Sequence, residues 1–278
     1  MAAVSPIPWS YSRVVPAASP SIDHLALTWR SLDDLLATLS EEEWKRSTGC
    51  PGWSVQDNVA HLIDYEARAL GRPGPEHVPT DVAHVKNPLG EGNEVGVDFR
   101  RDRSGEEVLA ELREVTAARL AQLQSLTADD LAREIETPAG PGTLADMLTL
   151  RVMDTWSHEQ DIRRALDRPG HVDGPAALES VTYFARYLPL VVAKRAGAPD
   201  GTTVVVEIGD LHRAVVAVDG GRGRPLDDAP ADPTVRLTMP VTTFAALVGG
   251  RSDAPDDVVV DGDRELGAAV IAVLGFLP

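Results

Sequence analysis

PGWSVQDNVAHL, residues 51–62, decides how the first half of this chain folds. A proline-glycine turn delivers the chain to Ser54. Ser54-Val-Gln-Asp57 then has the form of a capping box, in which the serine oxygen takes an early amide hydrogen of a helix. The spacing predicts a helix from about Val55 to Leu70, with His61 two turns inside it. The pattern returns, one residue shorter, in PGTLAD, residues 141–146, which opens a helix from about Leu144 to Leu166. Upstream of each copy lies an acidic turn, LSEEEW (39–44) and LTADDL (126–131). Before each turn comes an amphipathic stretch. In the first, Ile22, Leu25, Trp29, Leu32, Leu35, Leu36 and Leu39 mark one face of a helix over Ser21–Leu39; in the second, Val108, Leu112, Val115 and Leu120 mark a helix over Gly105–Leu126. Two helix pairs of this kind, facing each other, make a four-helix bundle. Between the pairs, Gly71 to Ser104 is rich in Gly, Pro and Asn and has no sustained periodicity, so it reads as a lid over a site or as locally disordered chain.

After the fourth helix, DRPGHVDGP (167–175) marks a domain boundary, and a helix over Ala176–Ala196 leads into different material. Thr202–Ile208, Arg213–Val218 and Thr234–Met239 are β-branched runs separated by turns, read as strands of one antiparallel or mixed sheet. Gly220-Gly-Arg-Gly223 reads as a hairpin turn. A short helix over Val241–Val248, a strand over Asp257–Val260 and a terminal helix from about Leu266 complete a small α/β module.

The composition excludes several function classes. A formal charge of −17 repels polyphosphate backbones and anionic lipid heads, with no basic segment to offset it, so nucleic acid is a poor partner. No apolar run approaches the roughly 18 residues of a membrane span. The first twenty residues hold four prolines and lack the basic start and apolar core of an export signal, so they read as an arm and the protein as cytoplasmic. A single cysteine, Cys50, excludes an intrachain disulfide and any multi-cysteine zinc site, and reads as a small loop residue. There is no P-loop, no GxSxG, no CxxC and no HExxH.

What chemistry remains lies on the two capped helices. Asp154 and His158 are four residues apart and stand one above the other on one helical face, where His61 supplies a third group if the two helices pack side by side. Two imidazole nitrogens and a carboxylate oxygen, with a position left open, suit catalytic zinc better than magnesium or calcium. A DxxxH pair also describes a plain ion pair on a helix surface, and the spacing alone leaves both readings standing. Glu159 and Asp161 are candidates to orient a ligand, and Trp53 and Trp156 to wall the site or fill the core. No partner spacing singles out His24, His77, His84, His171 or His212.

PGWSVQDNVAHL and RVMDTWSHEQDI (151–162) resemble the two signature segments of the mycothiol-dependent maleylpyruvate isomerase family, a branch of the DinB-like four-helix bundles. The likeness extends over most of the chain, since that family's C-terminal module is a small α/β unit resembling sterol carrier proteins. It implies an α+β protein, with a DinB-like metal-binding helical bundle over 1–170 and a C-terminal α/β module over 171–278. It also implies a divalent metal, zinc by preference, on His61, Asp154 and His158, with mycothiol as thiol cofactor. The acidic ligand of the characterised isomerase is Glu; Asp154 is one methylene shorter, which leaves the substrate open. In the implied chemistry a thiolate adds to an activated double bond, the resulting single bond rotates, and elimination leaves the trans alkene. A cation must then meet the substrate carboxylates, and Arg251 is the candidate. The function expected is metal-dependent isomerisation or thiol transfer on a small electrophilic substrate. The alternatives are a non-catalytic metal- or ligand-binding protein on the same fold, or a carrier of apolar ligands.

Overall fold

The computed structural model describes residues 19–251 and 256–276, so the arm expected at the N-terminus lies, up to residue 18, outside the described residues. Four long helices, α1 (Pro20–Leu36), α3 (Val55–Ala69), α5 (Gly105–Gln124) and α7 (Leu144–Leu166), form the first half, with α1 and α3 each packed on both α5 and α7. The acidic turns are short helices, α2 (Glu41–Trp44) and α6 (Ala128–Ala132). Side chains close the starts: Ser40, Ser54, Ser104, Thr127 and Thr143 each form a capping box with the acidic residue three positions on. Each cap of this kind is worth about 1 kcal/mol.

Two apolar clusters hold the bundle. Leu32, Leu36, Trp44, Val59, Leu62, Val108, Leu112 and Ile162 belong to one, and Leu25, Trp29, Leu123, Leu131, Leu148 and Val152 to the other. Each fully buried leucine contributes roughly 1.5–3 kcal/mol over an exposed one. Along α7 the first cluster takes Ile162 and Leu166 and the second takes Leu148 and Val152, which leaves Arg151, Asp154 and His158 as a polar stretch between.

The segment without periodicity contains a helix, α4 (Pro88–Asp98), packed on α3. Asn87 caps it by accepting from the Gly90 amide, and Pro88 stands at its first position, where a missing N–H costs nothing. Gly96 permits its close approach, because a Cβ there would collide with the carboxyl group of Asp64. A two-stranded hairpin, β1 (Glu134–Thr137) with β2 (Gly140–Thr143), leads into α7.

The second half is a mixed five-stranded sheet with helices. Its strands are β3 (Thr203–Ile208), β4 (His212–Asp219), β5 (Arg222–Pro225), β6 (Val235–Met239) and β7 (Val259–Gly262), ordered β5-β4-β3-β6-β7. Only the β3–β6 pairing is parallel. Gly220 and Gly221, both at positive φ, turn the chain from β4 into β5. The helix expected over Ala176–Ala196 is broken: α8 (Gly174–Ala185) is followed by a single turn, α9 (Leu188–Leu190), and a wide π-turn over Val191–Arg195. Pro189 has no amide hydrogen to continue a helix, which explains the break. The helices α10 (Val241–Val248) and α11 (Arg264–Ala272) complete the module. Its core of Phe184, Leu188, Val204, Val206, Leu237 and Phe244 includes Met153 and Trp156 of α7, so α7 is common to both halves. Among the described residues, no helix is long and apolar enough to cross a membrane.

Candidate metal centre

Because α3 and α7 pack side by side, His61 meets the Asp154/His158 pair. One ligand atom from each of the three lies within 4.8 Å of the others. His61 Nε2 is 3.2 Å from Asp154 Oδ2, and His158 Nε2 is 3.7 Å from Asp154 Oδ1. Ligands at about 2.0–2.2 Å from a tetrahedral zinc ion stand roughly 3.4 Å from one another, so the three side chains are close enough to meet on one such ion after a small shift of the Asp154 carboxylate. The histidines are buried, at 6% and 7% exposure, while the Asp154 side chain is 30% exposed and forms the mouth of the site. Trp53 covers both imidazoles, with ring centroids 5.3 Å from His61 and 5.7 Å from His158.

The orientation of His158 follows from its neighbour. Asn58 uses its amide nitrogen to donate to the Ser54 carbonyl at 2.8 Å and to Thr48, which turns its Oδ1 toward His158 Nδ1 at 2.7 Å. Nδ1 must therefore carry the hydrogen, and the lone pair of Nε2 faces Asp154, the arrangement a metal-ligating histidine needs. Burial pushes His158 down to about 3, aided by the positive charges of His61, Arg251 and Arg151 and opposed by Asp154, so its ring is neutral at pH 7. Burial would raise Asp154, but Arg151 and then His61 outweigh it and hold this carboxyl well below the usual range. Asp154 and His158 are thus in the deprotonated state that metal binding requires.

Charged groups flank this set on both sides. Arg151 donates to Asp154 Oδ2 from Nη1 at 2.6 Å and to Glu66 Oε1 from Nε at 2.9 Å, while Glu66 also accepts from Arg119. The Arg151 guanidinium lies over the Tyr65 ring, 3.6 Å from its centroid. On the other side, Asp161 Oδ2 accepts from Arg251 Nε at 3.1 Å and lies 3.9 Å from His158 Nδ1, with Arg164 3.7 Å from its Oδ1. Burial raises the Asp161 carboxyl against the pull of Arg251 and Arg164. Cys50, His158 and Asp161 form a second group close enough to hold an ion, although burial pushes the Cys50 thiol up to about 12.

The segment before α4 and the helix itself close over Trp53. Buried Glu94 accepts from Trp53 Nε1 at 3.0 Å and pairs with His84 at 3.0 Å and Arg101 at 2.5 Å. His77 is tied to Asp98 at 2.7 Å, and the carboxyl of Asp98 is held down to about 2, because hydrogen bonds from His77, Thr80 and Arg101 outweigh its burial.

The structure thus brings together His61, Asp154 and His158 and sets Arg251 next to them through Asp161. Glu159 turns away, to Ser31, Arg163 and His171, and Trp156 is a core residue that donates to the His171 carbonyl at 2.8 Å. Sequence reasoning passed over Arg151, Asn58 and Cys50. Spacing carried a signal for the first two, which lie three residues before Asp154 and His61 and share their helical faces.

The sequence model of the mycothiol maleylpyruvate isomerase N-terminal domain matches residues 25–163. Two uncharacterized proteins of Mycobacterium tuberculosis, from different strains, are each 30% identical over 149 residues, covering 53% of this chain and 56% of the relative. The chain therefore spans about half the length of the curated relatives it matches. The crystal structure of the mycothiol-dependent maleylpyruvate isomerase superposes with a TM-score of 0.52 at 16% identity, covering 87% of this chain and 92% of that one. A histidine-to-alanine mutant of that isomerase superposes with a TM-score of 0.50 at the same identity and coverage. At such identity the likeness shows a shared fold.

Proposed function

The chain belongs to the mycothiol maleylpyruvate isomerase N-terminal domain family, and from that membership we propose that it is a metal-dependent enzyme using mycothiol for isomerisation or thiol transfer on a small electrophilic substrate. The observation that carries this reading is the convergence of His61, Asp154 and His158, with Asp154 and His158 in the protonation states a metal requires and the Asp154 side chain 30% exposed. These three residues would hold one divalent ion, zinc by the nature of the donors. Such an ion supplies Lewis acidity at an open position, which favours the thiolate form of a bound thiol near neutral pH.

The chain's own residues would do the rest. Asn58 holds the His158 ring in one tautomer, and Trp53 excludes water from one side of both imidazoles. Among the described residues, Arg251 and Arg164 both pair with Asp161, which places two guanidinium groups beside the site. We assign to Arg251 the role of meeting a substrate carboxylate there. Cobalt-loaded protein treated with mycothiol tests the reading: a sulfur-to-metal charge-transfer band is expected, and its loss in Asp154→Ala. Bound cobalt with no spectral response to mycothiol would remove the thiol chemistry and favour a non-catalytic metal-binding protein.

A further inference from the structure

Resting on the metal reading above, we propose that Arg151 is the positioning residue that keeps one coordination place of the metal open by withholding one oxygen of Asp154. A carboxylate beside a divalent ion can bind through one oxygen or two. Binding through both would fill the place a thiol needs. In this site the two oxygens are not equivalent: Oδ2 accepts from Arg151 Nη1 at 2.6 Å and also lies 3.2 Å from His61 Nε2, whereas Oδ1 faces His158 Nε2 at 3.7 Å and has no arginine on it.

Arg151 is not free to let go. Its Nε is fixed by Glu66 at 2.9 Å, Glu66 is itself held by Arg119 at 3.2 Å, and the guanidinium plane lies over the Tyr65 ring at 3.6 Å. Arg119, Glu66 and Arg151 are each less than a tenth exposed, and the array crosses α5, α3 and α7. A charge-assisted hydrogen bond set in such an anchored fork competes with a metal for that oxygen far better than water would. The spacing also assigns a reason to Asp at this position. The short side chain reaches the arginine of its own helix, three residues back, while still facing His158 four residues on.

Cobalt as an optical probe separates the two denticities, because four-coordinate cobalt absorbs more strongly in its visible d–d bands than five- or six-coordinate cobalt. In cobalt-loaded protein without added thiol, Arg151→Met is expected to weaken these bands several-fold, as Asp154 closes on the metal with both oxygens. Arg151→Lys, which keeps a cationic donor at the carboxylate, is expected to stay nearer the wild type. Saturation by 2-mercaptoethanol, a plain thiol probe, should require a higher concentration in Arg151→Met. Should that variant not fold, infrared difference spectra of the wild type with and without metal decide the matter, since the splitting of the carboxylate stretches is wide for one-oxygen and narrow for two-oxygen binding. Superimposable cobalt spectra for wild type and Arg151→Met, or a two-oxygen signature in the wild type, would overturn the proposal while leaving the metal site standing. A wild type that takes up no cobalt would remove the metal reading itself.

Discussion

Lowering the pH from 7 to 5 should destabilise the metal-free protein by about 2 kcal/mol through His158 alone. The buried ring is held at about 3 in the folded chain, against an ordinary value of 6.5 that it regains on unfolding. Between those two values the unfolded chain binds a proton that the folded chain refuses, so stability is flat above pH 6.5 and falls as the pH drops toward 3. At pH 5 the system is about 1.5 pH units into that window, and at about 1.4 kcal/mol per unit the loss is about 2 kcal/mol. Asp154, held below the usual carboxylate range, loses its contribution only at still lower pH and does not enter this interval. Burial also lowers His212, but that residue is common to the two proteins compared and cancels between them. The assay is urea unfolding, in the presence of a chelator, of wild type and His158→Gln at pH 7, 6 and 5. The wild type should lose about 2 kcal/mol more than the variant across the series. Parallel losses in the two proteins would refute the claim that a neutral, desolvated His158 is built into the fold.

Two further outcomes follow from packing. Gly96→Ala forces a methyl group into the carboxyl of buried Asp64 where α4 meets α3, so thermal unfolding should show a loss of about 1–3 kcal/mol; an unchanged midpoint would mean that α4 is not seated there. In limited proteolysis the exposed run before α4, residues 72–87, should be cut before residues 167–175. The latter are pinned by Trp156 and Gln160 donating to the His171 carbonyl and by the His171–Glu159 pair at 2.7 Å. First cleavage within 167–175 would show those contacts to be weak.

The bundle was legible because its signals are local. Ser54, Thr143 and the acidic residues three positions on fix where α3 and α7 begin, and helical periodicity then fixes the faces of His61, Asp154 and His158. What the spacing could not supply was the partner across the gap. Arg151 and Asn58 stand on the right faces, yet only the packing of α3 on α7 makes them neighbours of Asp154 and His158. The same holds for His24, His77, His84 and His171, whose carboxylate partners Glu179, Asp98, Glu94 and Glu159 lie on helices ten or more residues away in the chain. PLGEGNEVGVD hid α4 because three glycines lower its intrinsic preference for helix, and tertiary contact with α3 supplies what propensity does not. RGRP hid β5 for a related reason: it has no β-branched residue and is a strand because it pairs with Val216–Asp219.

Anomalous diffraction at the zinc edge, from crystals of the protein loaded with one equivalent of zinc, would locate the ion that His61, Asp154 and His158 are proposed to hold. One strong peak is expected at about 2.0–2.3 Å from His61 Nε2, Asp154 Oδ1 and His158 Nε2. A peak beside Cys50, His158 Nδ1 and Asp161 instead, or no peak between α3 and α7, would contradict that placement.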